Sequence, residues 1–316
     1  MGDNEVKINV KKAGICGTDI IGRPGCILPV VIGHEFSGII TDVGPNVKNL
    51  RPGDKVTCDT TAYVCGKCKF CISGDINLCI ERRSIASTAN GAFAKYITIR
   101  QESVFKLPKN IDLTTASIIE PLACAIHFVI EKAKIEPNDI VVILGAGPMG
   151  LLCAQVAILE GAIVILGGKN INSERFKLAE QFGVKKIINV NYENISELVK
   201  EFTNGYGADI VMNCTGSSKA IPTGLDCTRR NGKFIQVGIT HSMVQLDFDD
   251  IFYKKEISLI GGHGSKKSSW LRAIQYLKNG QIQLKPLITK ELPLSDWQKG
   301  FEMMKNGSAI KVLLTP

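Results

Sequence analysis

Apolar and polar positions follow two different patterns along the chain. In its first third, short runs of apolar and β-branched residues are separated by glycine and proline, which is typical of short strands joined by turns. These runs cover residues 6–10, 30–32, 38–43 and 93–99. The pattern predicts a small β-rich domain.

From about residue 118, apolar runs alternate with helical stretches, the pattern of βαβ units on a parallel sheet. We predict strands over residues 140–144, 162–166, 186–190, 208–214, 233–237 and 257–260. One intervening helix is predicted over residues 174–182, with Ser173 as its N-cap and Gly183 ending it. The fold class is therefore α/β, a β-rich domain followed by a doubly wound parallel sheet.

The length of 316 residues is large for a single core and supports two domains. We expect residues 1–117 to form the β-rich domain and residues 118–284 to form the parallel-sheet domain. After residue 284 the sequence becomes irregular, with Pro286 and Pro293. We expect residues 285–316 to return to the first domain.

The composition, at 45% hydrophobic and 22% charged residues, is that of a globular protein. The net charge of +8 is dispersed along the chain, so we expect no nucleic-acid partner. No stretch of about 18 uncharged apolar residues occurs, and residues 1–12 are too charged for a secretory signal. We therefore expect a cytoplasmic protein without a membrane partner.

Four of the 11 cysteines are clustered in the pattern C-x2-C-x2-C-x7-C. They are Cys65, Cys68, Cys71 and Cys79. In a reducing compartment disulfides are unexpected, and four thiolates on short loops match a closed tetrahedral zinc site. A ferredoxin-type iron–sulfur run has a shorter last spacing followed by proline, so we favour zinc. The scattered cysteines are expected to be small buried side chains: Cys26, Cys58, Cys153, Cys214 and Cys227.

A glycine-rich segment follows the strand predicted over residues 140–144 and opens a helical stretch. In that context it predicts a dinucleotide site, because the glycines permit a tight turn, close approach of the pyrophosphate and close helix packing. The helix N-terminus then faces the phosphates. The residues expected to contact the cofactor here are Gly145, Gly147, Pro148, Met149 and Gly150.

The end of the second predicted strand in this domain lacks the acidic residue that usually holds the adenine ribose. Residues 167–170 read Gly-Gly-Lys-Asn, so nothing there repels a 2′-phosphate. Lys169, Asn170 and Arg175 are candidate contacts, and the two cations favour NADP at least as much as NAD.

Two further segments carry metal-ligand residue types beside glycines. One holds Cys16, Thr18 and Asp19, and the other begins Gly33-His34-Glu35. The second continues as G-H-E-x2-G-x5-G-x2-V and, with the cysteine segment and the four-cysteine lobe, resembles zinc-dependent medium-chain dehydrogenases. The resemblance runs from residue 4 to the C-terminus and is nearest to the sorbitol and threonine dehydrogenase-like branch. It implies a GroES-like catalytic domain, a Rossmann cofactor domain and two zinc ions per chain.

The same resemblance implies roles for individual residues. Cys16 and His34 are expected to bind the catalytic zinc, and Glu120 stands where polyol dehydrogenases have an acidic ligand. Glu35 is the other candidate carboxylate, and the choice between it and Glu120 stays open. A catalytic zinc keeps one position for water or substrate and lowers the pKa of the bound hydroxyl.

Three more positions belong to this expected site. Thr18 resembles the hydroxyl that carries away the substrate's proton, and Asp19 is expected to orient His34. Cys124 is out of register with the acidic ligand position, so we treat it as a core residue.

The sequence departs from the family in two ways. A histidine usually stands where this chain has Ile21, so a proton relay would have to use water or cofactor hydroxyls. Relatives also carry about 25 more residues before the strand leading to Cys16, so we expect a missing hairpin and an exposed sheet edge.

The expected function is reversible oxidation of a secondary alcohol, namely a polyol, sugar alcohol or amino alcohol such as threonine, with hydride transfer to NAD or NADP. Substrate contacts are expected from residues 22–29 and 80–89. Two alternatives are a zinc-free quinone or enoyl reductase, which would lack both cysteine segments, and a truncated dinucleotide-binding relic without turnover. We expect a homo-oligomer, a dimer or tetramer.

Overall fold

A computed structural model describes residues 1–22, 29–169 and 174–316. The predicted roles of Cys26, Asn170 and Ser173 fall outside these residues. The chain divides into two compact units, one of Met1–Ala123 with Gly264–Pro316 and one of Cys124–His263.

The strands and helices of the described residues are as follows. The strands are β1 Glu5–Gly14, β2 Glu35–Val43, β3 Lys55–Cys58, β4 Thr61–Tyr63, β5 Arg83–Ser84, β6 Tyr96–Arg100, β7 Val104–Lys106, β8 Ile140–Leu144, β9 Ile163–Gly168, β10 Lys186–Asn189, β11 Ala208–Asn213, β12 Thr228–Gln236, β13 Ser258–Gly261, β14 Ile288–Pro293 and β15 Lys311–Thr315. The α-helices are α1 Gly17–Ile21, α2 Lys69–Ile72, α3 Leu113–Ala116, α4 Ile119–Ile126, α5 Pro148–Leu159, α6 Glu174–Gln181, α7 Ile195–Phe202, α8 Ala220–Cys227, α9 Lys267–Lys278 and α10 Trp297–Lys305. Two π-helical segments cover His127–Ala133 and Asp249–Lys254, and single 3-10 turns cover Ile76–Leu78, Gln101–Ser103, Lys285–Leu287 and Leu294–Asp296.

The first unit is built on a mixed sheet with the described strand order β14-β15-β1-β2-β3-β7, to which β6 adds by pairing with β1. Strand β1 alternates inward and outward side chains, and Val6, Ile8 and Val10 point into the core. This period of two is what buries one face of a strand. The chain's last strand pairs antiparallel with β1, with Gly14 opposite Leu313. The C-terminus therefore lies in the same sheet as the strand that leads to Cys16.

The second unit holds a parallel sheet whose described strands run in the order β10-β9-β8-β11-β12-β13. This is the doubly wound order of dinucleotide-binding folds, with its switch point between β8 and β11. Strand β8 is almost entirely apolar and buried, as expected for a strand covered on both faces. The α/β fold class, with a β-rich part and a doubly wound parallel sheet, is confirmed.

The predicted strand at residues 30–32 is wrong. Val31 and Ile32 accept single backbone hydrogen bonds from Gly91 and Phe93, but no regular ladder forms. Gly33 has φ +88°, a conformation that breaks a strand, and a Cβ there would lie 2.1 Å from the Phe93 ring.

Other element bounds also differ from the predicted ones. The strand predicted at residues 93–99 covers Tyr96–Arg100, and the helix predicted at 174–182 covers Glu174–Gln181, with Gly183 at φ +93° just beyond. The region after residue 284 is not irregular, because it contains β14, α10 and β15. Its prolines occupy a 3-10 turn and the end of a strand, where proline costs little.

Candidate functional site

Three potential metal ligands meet where β1 ends and β2 begins. Cys16 follows β1 and occupies the N-cap of α1, while His34 immediately precedes β2 and Glu35 is its first residue. Pairing of the two strands sets Gly14 opposite Glu35. One ligand atom each of Cys16, His34 and Glu35 then lies within 4.8 Å of the others. A sulfur, an imidazole nitrogen and a carboxylate oxygen form a donor set that suits zinc.

Asp19 fixes the orientation of this set. One carboxylate oxygen of Asp19 accepts a hydrogen bond from the Cys16 backbone amide at 2.9 Å, and the other lies 3.1 Å from His34 Nδ1. A proton on Nδ1, held by Asp19, leaves the Nε2 lone pair available for a metal. Burial lowers the pKa of His34, but the charge of Asp19 and hydrogen bonds with Asp19 and Cys16 raise it well above its ordinary value.

Glu35 has a second partner that sequence reasoning missed. Both of its carboxylate oxygens lie 2.8 Å from Lys311 Nζ, and the same ammonium donates to the Ile15 carbonyl at 3.0 Å. Burial lowers the pKa of Lys311, yet the charges of Glu35, Cys16 and Glu120 raise it above its usual value. A buried ammonium therefore belongs to the site.

The other residues predicted for this site are not all part of the ligand cluster. Thr18 donates its hydroxyl to Cys16 Sγ at 3.3 Å. Glu120 is buried in the first turn of α4, and its charge acts on Lys311, but it is not one of the three described residues whose ligand atoms cluster. Cys124 is also buried on α4, and Ile21 is 60% exposed.

The four lobe cysteines form the second cluster of potential metal ligands. Their sulfurs all lie within 4.8 Å of one another, with Cys65–Cys71 at 3.9 Å, Cys68–Cys71 at 3.6 Å and Cys65–Cys79 at 3.6 Å. Tetrahedral zinc with bonds of about 2.3 Å places its sulfurs about 3.8 Å apart. The sulfur positions therefore fit a closed zinc site.

Backbone amides favour thiolates in this lobe. The amide of Cys71 lowers the pKa of Cys68 to about 6, and the amides of Cys65 and Glu81 lower that of Cys79 although burial opposes them. Burial and donation to neighbouring sulfurs raise the pKa of Cys71 to about 12. Metal ligation requires thiolates, so amides directed at sulfur assist it.

A cavity of about 650 Å³ opens in the second unit at the switch point of the parallel sheet. Gly145 has φ +109°, and a Cβ there would lie 2.8 Å from Thr215, while a Cβ on Gly150 would meet the Gly145 carbonyl at 1.8 Å. Space beside Gly147 is open, which lets a pyrophosphate approach the backbone. The lining is Leu144, Gly145, Ala146, Gly147, Gly167, Gly168, Lys169, Arg175, Val190, Glu193, Asn194, Ile195, Thr215, Gly216, Ser217, Lys219, Ala220 and Thr223. Pro148 and Met149 begin α5 without lining this cavity.

The charged part of this lining differs from what the sequence indicated. Lys169 and Arg175 line the cavity as predicted, and Lys219 adds a third cation. Glu193, which accepts the Asn189 amide at 2.9 Å, is a carboxylate that sequence reasoning missed because it follows the third strand rather than the second. At the end of the second strand an acidic side chain is excluded, since a Cβ at Gly168 would lie 2.7 Å from the Phe176 ring.

The doubly wound sheet with its glycine turn, together with the thiolate-containing metal sets, defines a zinc-dependent and dinucleotide-dependent oxidoreductase. Residues 2–109 match the model of the alcohol dehydrogenase GroES-like domain, and residues 148–279 match that of the zinc-binding dehydrogenase. The chain belongs to the zinc-dependent medium-chain alcohol dehydrogenase family.

Curated relatives match along essentially the whole chain. Sorbitol dehydrogenase of Halalkalibacterium halodurans is 43% identical, covering 100% of this chain and 92% of the relative. D-arabitol-phosphate dehydrogenase of Enterococcus avium is 39% identical, covering 99% and 90%. L-threonine 3-dehydrogenase of Bacillus subtilis is 34% identical, covering 99% and 91%.

Solved structures agree with the fold. A zinc-binding dehydrogenase of Sinorhizobium meliloti, crystallised with NADP, superposes with a TM-score of 0.91 at 27% identity over 100% of this chain and 93% of that one. Galactitol-1-phosphate dehydrogenase of Escherichia coli gives a TM-score of 0.89 at 27% identity over 100% and 94%. The chain is an NAD(P)-dependent zinc alcohol dehydrogenase acting on a small-molecule alcohol, and these matches do not favour a non-catalytic relic. Among the described residues, no helix has the length and apolar character needed to cross a bilayer.

Proposed function

We propose that this dehydrogenase oxidises a secondary alcohol of a polyol or sugar alcohol at a zinc ion held by Cys16, His34 and one carboxylate. The observation that carries the proposal is the cluster of the Cys16, His34 and Glu35 ligand atoms within 4.8 Å. The carboxylate is either Glu35, whose oxygen belongs to this cluster, or Glu120, which stands at the acidic ligand position of polyol dehydrogenases. The four lobe cysteines hold a second, structural zinc ion.

The residues of the chain divide the chemical work. When bound, the zinc ion supplies Lewis-acid polarisation of an alcohol, and the nicotinamide supplies a hydride acceptor. Asp19 keeps His34 in the tautomer that binds metal through Nε2. Thr18 donates its hydroxyl hydrogen to Cys16 Sγ, and a hydroxyl oxygen can at the same time accept a hydrogen bond, so Thr18 would orient the substrate hydroxyl that loses its proton. Ile21 offers no onward relay, so that proton leaves through water or a cofactor hydroxyl.

The names of curated relatives support the proposed substrate class. Sorbitol dehydrogenase and D-arabitol-phosphate dehydrogenase both have polyol names, and threonine dehydrogenases are less similar to the chain. We therefore rank free polyols first, polyol phosphates second and amino alcohols third. Residues 80–89 and residues 22–29 are the proposed substrate contacts, and residues 23–28 lie outside the part of the chain that the structure describes.

A combined metal and activity measurement tests the proposal. We expect two zinc ions per wild-type chain by elemental analysis and turnover with a polyol on zinc-replete protein. Cys16→Ala should lose one ion and all turnover while remaining folded, because its ligand set is open. Cys68→Ala should instead destabilise the lobe and aggregate. Retention of both ions by Cys16→Ala would show that the catalytic site has been assigned wrongly.

The proposed cofactor is NADP, used at least as well as NAD. Lys169 and Arg175 line the cavity and can donate to a 2′-phosphate, and no acidic residue occupies the described positions 167–169. Burial lowers the pKa of Arg175, which a phosphate partner would reverse. The NADP complex of the Sinorhizobium meliloti dehydrogenase supports the same reading.

Catalytic efficiency with both cofactors tests this preference. Lys169→Ala should lower kcat/KM for NADP about tenfold and leave NAD unchanged, because a partly exposed charge-assisted pair contributes about that factor. Lys177→Ala, an exposed lysine of α6 outside the cavity lining, is the matched control. A strong preference for NAD that Lys169→Ala does not alter would show that Lys169 does not contact the 2′-phosphate of the ribose. Glu193 would then be the alternative residue that sets the cofactor preference.

Residues 1–117 and 285–316 are proposed to carry the catalytic domain and residues 118–284 the cofactor domain. The protein is proposed to act in the cytoplasm. It is also proposed to form a homo-oligomer, a dimer or tetramer, through the cofactor domain.

A further inference from the structure

Glu193 follows the third strand of the parallel sheet, and its side chain lines the cavity at the switch point of that sheet. One of its carboxylate oxygens accepts a hydrogen bond at 2.9 Å from the backbone amide of Asn189, the last residue of β10. The Glu193 backbone amide donates to the Asn189 carbonyl at 3.0 Å. These two bonds fold residues 189–193 into a turn that holds the carboxylate beside the end of β10.

Strand pairing sets the end of β10 next to the end of β9. Asn189 pairs with Gly168, and the Val190 amide donates to the Gly168 carbonyl at 3.0 Å. In the strand order β10-β9-β8 the glycine turn that receives a pyrophosphate follows β8, and the adenosine ribose of a dinucleotide lies toward the end of β9. Glu193 therefore lies on the adenosine side of the cavity.

The end of β9 has no room for the acidic residue that usually stands there. A Cβ at Gly168 would lie 2.7 Å from the Phe176 ring, and one at Gly167 would lie 2.4 Å from Ile195. Because Phe176 and Ile195 are both buried, a side chain at either glycine would displace part of the core. Among the described residues that line the cavity, Glu193 is the only acidic one.

The second carboxylate oxygen of Glu193 has no hydrogen-bond partner among the described residues, and the side chain is exposed. A carboxylate accepts hydrogen bonds from hydroxyl groups but repels a phosphate. Lys169 and Arg175 line the same cavity and have the opposite preference. The cavity thus carries an acceptor for a free ribose and donors for a phosphorylated one.

We propose that Glu193 is a specificity-determining residue that accepts a hydrogen bond from the ribose 2′-hydroxyl of NAD, so that the chain uses NAD as well as NADP. The inference rests on the proposed function, in which Lys169 and Arg175 serve NADP. It moves the acidic contact from the end of the second strand to the turn after the third.

Direct binding separates this role from support of the fold. NADH and NADPH are titrated into the zinc-loaded protein, with nicotinamide fluorescence as the readout. Glu193→Gln removes the charge but keeps an oxygen that can accept the Asn189 amide. We expect the Kd of NADH to rise about fivefold, because a neutral amide holds the hydroxyl less well, and the Kd of NADPH to fall about threefold, because the repulsion is gone. Damage to the fold would instead weaken binding of both.

Glu201→Gln is the matched control, an exposed glutamate of α7 outside the cavity lining, and should leave both Kd values unchanged. The fragments 5′-AMP and 2′-AMP, used as competitors of NADH, locate the effect at the adenosine end. In Glu193→Gln, 5′-AMP should compete less well and 2′-AMP better than in wild type. Glu193→Lys, which reverses the charge, should enlarge both differences.

Opposite shifts of the two Kd values support the inference. An NADH Kd that does not rise in Glu193→Gln would overturn it, and so would a rise shared equally by NADPH, since that result places Glu193 at the adenine or in support of the turn. If Lys169→Ala leaves NADPH binding intact while the Glu193→Gln shifts persist, the proposed NADP contact fails and this inference stands. Absence of binding of either dinucleotide to wild type would overturn the proposed function as well.

Discussion

Besides Cys16 and His34, three side chains are candidates for the catalytic zinc ligand set: Glu35, Glu120 and Cys124. Glu35 is paired with Lys311, whereas Glu120 lies buried at the start of α4 and Cys124 one turn further along. A carboxylate suits a zinc ion that must exchange water for substrate. Of the two candidates on α4, Glu120 is therefore the expected ligand rather than Cys124.

We predict that Glu120→Ala weakens binding of the catalytic metal at least about tenfold and abolishes turnover, because it removes a ligand. Cys124→Ala is the control, expected to keep two zinc ions and to lose about 1 kcal/mol of stability from a small buried cavity. Equilibrium dialysis against zinc with steady-state kinetics measures both. Loss of catalytic zinc from the Cys124 variant alone would reverse the assignment.

Short elements near the site depend on their caps. Helix α3 has four residues, and Asp112 is its N-cap. The Asp112 carboxylate accepts hydrogen bonds from the Thr115 backbone amide at 2.8 Å and from the Thr115 hydroxyl at 2.9 Å. Partial burial raises the pKa of Asp112, but these hydrogen bonds outweigh it and hold the pKa below its usual value. Ionised Asp112 is therefore the form that stabilises the fold.

We predict that Asp112→Ala lowers the free energy of unfolding by about 1 kcal/mol at pH 7. Because the pKa is lower in the folded than in the unfolded state, the carboxylate's contribution is complete above about pH 4 and fades as the pH falls through the folded-state pKa. Urea unfolding of wild type and variant at pH 7 and pH 3 measures the difference. Asp112→Asn keeps a capping oxygen and should show little pH dependence. An equal loss for the alanine variant at both pH values would contradict the charge argument.

At the scale of the whole molecule, an exposed strand edge offers a surface for assembly with a second copy. One of the two described edges of the parallel sheet is β13, where Leu259 is 38% exposed, and in the segment that precedes β13 in sequence Phe248 and Met243 are 64% and 99% exposed. An apolar strand edge of this kind is a template for pairing with a second copy of the chain. A symmetric pair would cover the same residues on both copies.

We predict that the wild type is a dimer or larger in analytical ultracentrifugation and that Leu259→Lys shifts it to monomer with the fold retained. At a symmetric contact the introduced lysines of the two copies lie close together, and the repulsion between their charges should separate the copies. Leu271→Lys alters another exposed leucine, on α9, and should leave the oligomer intact. A monomeric wild type, or equal effects of both substitutions, would exclude this edge as the interface.

The sequence alone determined those features that depend on contacts between residues close together in the chain. The four lobe cysteines lie within residues 65–79, so their spacing already predicts that the sulfurs meet. The turn of residues 145–150 joins a buried strand to a helix, and its glycines are required by contacts within a few residues, such as Gly150 with Gly145. Continuous apolar runs likewise predicted most strands of the parallel sheet, because strands covered on both faces lack polar alternation.

Tertiary structure decided what depends on strands that are distant in sequence. The Lys311–Glu35 pair joins residues 276 positions apart, and no periodicity or spacing relates them. The pairing of β15 with β1 brings them together, and the same pairing makes a strand of the region expected to be irregular. Glu193 likewise reaches the cavity because the strand before it, β10, pairs with β9. Local pattern limits which elements form, whereas the order in which strands pair decides which side chains share a site.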